Sequence, residues 1–302
     1  MGITRDFSKF LIFAKKYYSV SYNHTLTLGR QVLYFKPEEL KLDLKHYGEL
    51  DAIAKVNFSF KEYAENYFYT LGASVQESLD YSDYEKANVI HDLNKPVPES
   101  LENRYSAVVD AGTLEHVFNF PLAIKNCMKM LKVGGHFISI TTANNYFGHG
   151  FYQFSPELFF SLFSEKSGFQ LKEVIVAIEK PDGQVQDWYR VIDPAKVKRR
   201  VTLINNSPTS LLIIAKKITE KNIEGIVPFQ SDYEQVWRVH ESIAGNKPLL
   251  GESRWLHLYR KLFPKFIKSL VRKIFRKSTL VQKNVTGLGL VDPAFFQKIK
   301  IE

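Results

Sequence analysis

Two stretches of the chain place chemically competent residues where apolar ones run out. In YSAVVDAGTLEHVFNF, residues 105–120, a run of small and β-branched residues stops at Asp110. Gly112, Thr113 and the acid–histidine pair Glu115-His116 follow. In NNYFGHGFYQFSPELF, residues 144–159, two glycines flank His149 among Asn144, Asn145, Tyr152 and Gln153. An imidazole with an unperturbed pKa of about 6.5 can take a proton from a hydroxyl or amine near neutrality, which makes His149 a candidate catalytic base. Amides beside aromatic platforms suit a sugar or another polyhydroxylated acceptor. Asn144, Asn145, Tyr152 and Gln153 are therefore the candidate substrate-binding residues. His91, next to Asp92 on an expected strand, faces the opposite way and is read as structural. The eight histidines contain no H-x-x-x-H pair and the single cysteine is Cys127, so no metal site is assigned. No G-x-S-x-G elbow is present, and Cys127 falls on an apolar helix that places it in the core.

The elements that must position these residues alternate. Residues 6–18 have a helical pattern, and 24–29 that of a short buried strand ending at Gly29. Helical stretches occupy 38–71 and stop at Gly72, a natural C-cap. Short strands are expected at 74–80, 87–94 and 106–110, the first two ending at Asp80 and Asp92. A helix is expected over 119–131, a strand over 136–143, and a helix after Ser155-Pro156, which supply an N-cap and a first-turn proline. FQLKEVIVAIE and TSLLIIAKKI read as two long strands, able to pair antiparallel. Strands alternating with helices imply an α/β fold with a mostly parallel sheet covered on both faces. Ligands in such sheets bind beyond the carboxyl ends of the strands. Gly29, Asp80, Asp92 and Asp110 all fall at such ends, on one rim.

The run YSAVVDAGTLEHVFN…AIKNCMKMLKVGGHFISITTANN resembles the class I S-adenosylmethionine-dependent methyltransferases, as does NVIHDLN, over roughly residues 20–220. The resemblance implies a Rossmann-like, seven-stranded, mostly parallel sheet with a reversed final hairpin. It also implies S-adenosyl-L-methionine as cofactor and methyl transfer to a hydroxyl or amine of a small-molecule or glycan-like acceptor. Asp80 would take the ribose, Asp92 and Leu93 the adenine, and Gly29, Asp110, Gly112 and Glu115 the methionine portion. His116, with Glu115, would border cofactor and substrate as a second catalytic candidate. The chain departs from the family in two ways. TLTLGRQVLYF keeps one glycine where the family has several, and about 50 residues separate Gly29 from Asp80, so the extra residues must form helices near the rim. Two other readings stand beside this one. A catalytically inactive relative would dock a partner through its basic segment, and a nicotinamide-dependent oxidoreductase is disfavoured because no G-x-G-x-x-G follows the first strand.

Composition limits the alternatives. The chain has 302 residues, 45% hydrophobic and 24% charged, with a net charge of +9. Residues 254–277, RWLHLYRKLFPKFIKSLVRKIFRK, contain nine Lys and Arg and no acid. Without them, bases and acids balance. A neutral body with one basic segment points to a local docking surface such as an anionic membrane face, and away from nucleic acid. The single cysteine, the lack of a signal-peptide pattern and the lack of a ~20-residue apolar run lead to an expected cytoplasmic location. The expected organisation is a methyltransferase-like domain over 1–220, with a helical insertion at about 35–72, and a basic helical extension over 221–302.

Overall fold

The computed structural model describes residues 2–180, 187–197, 200–231, 233 and 295–299. The basic segment 254–277 lies outside the described residues. The chain opens with β1 (Gly2–Thr4) and α1 (Arg5–Tyr18), followed by β2 (His24–Leu28) and β3 (Val32–Tyr34). Helices α2 (Pro37–His46), α3 (Leu50–Ile53) and α4 (Glu65–Leu71) lead to β4 (Val75–Asp80), β5 (Val89–Ile90) and β6 (Tyr105–Ala111). Then come α5 (Phe120–Met130), β7 (Leu131–Asn144), α6 (Pro156–Leu162) and β8 (Phe169–Ile178). The last described elements are β9 (Asp187–Val191), α7 (Pro194–Val197), β10 (Thr209–Lys217) and β11 (Phe296–Ile299).

The main sheet has nine strands in the order β11-β9-β8-β10-β7-β6-β2-β4-β5, rather than the expected seven. Seven of them, from β8 to β5, form the expected arrangement. β5, β4, β2, β6 and β7 run parallel. β10 is inserted in reverse between β7 and β8. The additional pair is β9, which lies in the interval between β8 and β10 and pairs with β8, and β11, which pairs with β9 at the sheet edge. Residues 296–299 therefore join the same sheet as the N-terminal body.

Both faces are covered, and the strands alternate between them. On β10, Leu211, Ile213 and Ala215 face a cluster with α5 and α6, including Phe120, Phe159 and Phe163. Leu212 and Ile214 face the cluster of α1 and the inserted helices. Burial on both sides is why β6 and β10 read as unbroken apolar runs. Thr4 caps α1 by accepting from the Phe7 backbone at 3.3 Å. Phe10 and Phe13 of α1 meet Trp188 of β9 edge-on, at 5.9 and 6.0 Å between ring centres. The extra residues between Gly29 and Asp80 form α2 to α4. They pack on α1 through Phe35, Tyr67 and Phe68, with the Tyr67 hydroxyl donating to the Ser8 carbonyl at 3.3 Å.

Two boundaries differ from expectation. β5 contains only Val89 and Ile90, so His91, Asp92 and Leu93 lie in the turn beyond it rather than on a strand. β7 begins at Leu131, and residues 132–135 bulge between its paired residues Leu131 and His136 instead of forming a turn that precedes the strand. The register slips here, between Tyr105 and Ala107. A Cβ on Gly135 would sit 2.9 Å from the carbonyl oxygens of both Lys132 and Tyr105, so the second glycine lets the strands close over the slip.

Candidate functional site

The chain leaves β2 outward to β4 and β5, then crosses back to lay β6 on the other side of β2. The switch point, where such sheets form a crevice, lies at the carboxyl ends of β2 and β6. Gly29 and Gly112 stand there, both at positive φ (75° and 83°).

Asp110, at the end of β6, is fully enclosed and does not open onto the rim. One oxygen accepts from the backbone N–H groups of Thr113 (2.9 Å) and Leu114 (3.3 Å), and the other from the Ser139 hydroxyl (2.7 Å). The carboxylate expected beside the methionine portion faces its own turn and Ser139. The buried carboxylate holds the turn that presents Glu115, and burial pushes its pKa up to about 6. The Thr113 hydroxyl in turn donates to the Leu28 carbonyl at 2.9 Å, tying this turn to the end of β2.

Residues 114–116 form a single 3₁₀ turn, not the first turn of α5. Glu115 is 1% exposed, and the Thr141 hydroxyl of β7 donates to one of its oxygens at 3.1 Å. Burial, reinforced by the charge of Asp110, raises its pKa to about 8. Its other oxygen lies 3.7 Å from Nε2 of His149, and the His116 and His149 rings meet edge to face at 4.9 Å. Burial lowers the His116 pKa, with the neighbouring His149 acting in the same sense. The two histidines of the expected site and the Glu115 carboxylate thus converge from the ends of adjacent strands β6 and β7.

The loop 145–153 is strapped onto the 3₁₀ turn. The backbone N–H groups of Phe151 and Tyr152 donate to the Glu115 carbonyl at 2.8 and 3.3 Å. Gly150 permits that approach, because a Cβ there would lie 2.9 Å from the same oxygen and its φ is +66°. Gly150→Ala is expected to destabilise the protein by about 2 kcal/mol, combining a left-handed alanine with a backbone clash. Chemical denaturation measures this; an unchanged midpoint would mean that the loop is not held at Glu115.

The proposed substrate-binding residues divide. Asn144 and Asn145 turn away from the histidines. Asn144 donates to the Leu203 carbonyl at 3.0 Å, and Asn145 donates to the carbonyls of Asn205 (3.1 Å) and Ser207 (2.8 Å). Their amide nitrogens anchor the segment that leads into β10. Tyr152 donates to the Phe118 carbonyl at 2.6 Å, and Gln153 accepts from the Tyr146 backbone at 3.2 Å. Both shape the loop around His149. Exposed rings that the sequence reading did not single out, Phe118 and Phe151, meet edge-on at 6.3 Å beside them.

On the other side of the crevice, the Asp80 carboxylate makes no hydrogen bond among the described residues, as a ribose contact requires. Asp92 forms a local turn, accepting from the backbone and side chain of Asn94 at 2.9 Å each, and these bonds lower its pKa. Leu93 is buried beside it. At the tip of β2, Arg30 pairs with Glu65 at 2.7 Å and lies 3.9 Å over the Tyr63 ring, which explains how the loop tolerates so large a residue. Gln31 folds back to donate to the Leu28 carbonyl, leaving its own oxygen buried with no partner among the described residues. Sequence reasoning gave Arg30 and Gln31 only as departures and had no signal for their partners.

No protein-family model matches the chain, and no curated protein matches it. Solved structures do. A SAM-dependent methyltransferase from Thermotoga maritima is 12% identical, over 71% of this chain and 91% of its own, with a TM-score of 0.39. The Burkholderia thailandensis 1,6-didemethyltoxoflavin-N1-methyltransferase is 10% identical, over 71% and 80%, with a TM-score of 0.39. The N-methyltransferase NodS from Bradyrhizobium japonicum is 11% identical over 69% of this chain and 85% of its own. Its TM-score is 0.36. Among the described residues, no helix is long and apolar enough to cross a membrane.

Proposed function

We propose that the chain is an S-adenosylmethionine-dependent methyltransferase acting on a hydroxyl or amine of a small-molecule or glycan-like acceptor. One observation supports this above the others. The carboxyl ends of β2, β4 and β6 bring Asp80, whose carboxylate accepts no hydrogen bond among the described residues, the Gly29 turn and the Glu115–His116–His149 cluster to one rim of the sheet.

The residues present fit the cofactor. Asp80 would accept from the ribose hydroxyls, and Leu93 with the Asp92 turn would take the adenine. The unpartnered Gln31 oxygen beside the Gly29 turn needs a donor, which the ammonium of the methionine portion supplies. When bound, the cofactor supplies an electrophilic methyl group. The chain's part is to align the acceptor and exclude water, which can lower the barrier by roughly 7–11 kcal/mol. His149 and His116 mark where the acceptor lies, with Phe118 and Phe151 as its aromatic border.

The inactive-relative reading has its own support. The Leu28 carbonyl already accepts from Gln31 and Thr113, and the Gly29 carbonyl from the Thr27 hydroxyl at 2.9 Å. The two readings part on one experiment, titration of S-adenosylhomocysteine into wild type and Asp80→Ala. Methyl transfer predicts saturable binding, weakened more than tenfold by the substitution. Equal affinity in both proteins would remove Asp80 from the ribose. A membrane-docking role for 254–277 is proposed on its charge alone, with cytoplasmic residence following from the cysteine usage.

A further inference from the structure

We propose that Glu115, His116 and His149 form a binding site for a borderline divalent transition-metal ion such as Zn²⁺. Each of the three residues offers a ligand atom, and these atoms all lie within 4.8 Å of one another. Around an ion with bonds of about 2.0–2.2 Å, ligand atoms stand roughly 3.3 Å apart. Glu115 and His149, at 3.7 Å, are already close to that separation. A modest turn of the exposed His116 ring closes the rest.

The donor chemistry agrees. Two imidazoles and one carboxylate are a nitrogen- and oxygen-rich set suited to Zn²⁺, Ni²⁺ or Co²⁺, and three protein ligands leave positions open for water or an acceptor oxygen. Among the described residues, neither imidazole makes a hydrogen bond, so both rings have a nitrogen lone pair available. The carboxylate is backed by the Thr141 hydroxyl at 3.1 Å, an outer contact of the kind that orients metal ligands. The scaffold is set before any ion arrives. Asp110 fixes the 114–116 turn, and two backbone bonds strap the His149 loop onto Glu115. The cation would lie on the open side of the cluster, because His149 is half-exposed while Glu115 is buried beneath it.

This goes beyond the methyl-transfer reading and does not depend on it. While an ion is bound, the imidazole lone pairs are committed as ligands, so neither ring serves as a base. The test is calorimetric titration of chelator-treated full-length protein with ZnCl₂, without any methyl donor, alongside Co²⁺ absorption in the visible range. One-to-one saturable binding is expected, at least tenfold weaker in His116→Ala and in His149→Ala. Both side chains are exposed, so unchanged melting curves will confirm that these variants fold; His149→Gln serves as a second probe that retains side-chain bulk. Absence of saturable Zn²⁺ binding, or equal affinity in the His116→Ala/His149→Ala double variant, would overturn the proposal. S-adenosylhomocysteine binding would be untouched by that outcome, so the two readings fail separately.

Discussion

Replacing Asp110 with alanine is expected to destabilise the protein by about 4 kcal/mol, whereas asparagine at the same position should cost little at neutral pH. The alanine leaves the Ser139 hydroxyl and the N–H groups of Thr113 and Leu114 without an acceptor in a closed interior. Each orphaned donor costs about 1–3 kcal/mol. Asparagine keeps an acceptor for both N–H groups, and the Ser139 hydroxyl can rotate to accept from the new amide. It also removes a charge that burial disfavours. The pKa of Asp110 rises from 3.8 to about 6 on folding. Its favourable contribution is therefore complete at low pH and is lost as pH rises through 6, by about 3 kcal/mol. Relative to wild type, Asp110→Asn should be more stable at pH 7 than at pH 4 by about that amount. Urea denaturation at the two pH values measures both effects. Equal losses for alanine and asparagine would show that the carboxylate charge, not its acceptor geometry, holds the turn.

His136 should give the opposite slope. It lies in β7, 2% exposed, with neither ring nitrogen hydrogen-bonded. Burial, with Lys216 and Lys172 acting in the same direction, lowers its pKa from 6.5 to about 4. The unfolded chain takes up a proton below 6.5 that the folded chain refuses until about 4. Stability from the neutral ring is present above pH 6.5 and declines across that window, by about 3 kcal/mol. His136→Phe removes the titration without opening a cavity. Relative to wild type it should be about 3 kcal/mol more stable at pH 4 than at pH 7. A constant difference between the two proteins over that range would mean that His136 takes up its proton at the same pH in the folded and the unfolded chain.

The parallel body of the fold was legible because its strands are buried on both faces. Unbroken apolar runs that end at Gly29, Asp80 and Asp110 are the expression of that burial, and the structure ends β2, β4 and β6 at or within one residue of them. β9 was not legible, because DWYRV is short and mixed, and it pairs with β8 on one side and, on the other, with β11 more than 100 residues later. The rim could be read, but the direction of each side chain could not. Asp110 ends an apolar strand just as Asp80 does, yet one is enclosed by three donors and the other accepts no hydrogen bond among the described residues; those donors come from β7 and the following turn. Asn144 and Asn145 looked like sugar ligands, but Leu203, Asn205 and Ser207 claim them from a distant segment. The metal cluster was hidden for the same reason. Glu115-His116 and His149 are 33 or more residues apart, a spacing that matches no helical ligand pattern. The usable signal was that both motifs follow successive strands, which this sheet places side by side.

Calorimetric titration of the full-length chain with S-adenosylmethionine, with S-adenosylhomocysteine and NAD as comparisons, tests the central claim most directly. The account predicts one-to-one binding of the sulfonium cofactor and its product, and none of NAD. No heat from either S-adenosylmethionine or S-adenosylhomocysteine would contradict it, and would mean that the lone Gly29 turn, filled by Gln31, Thr27 and Thr113, has closed the crevice.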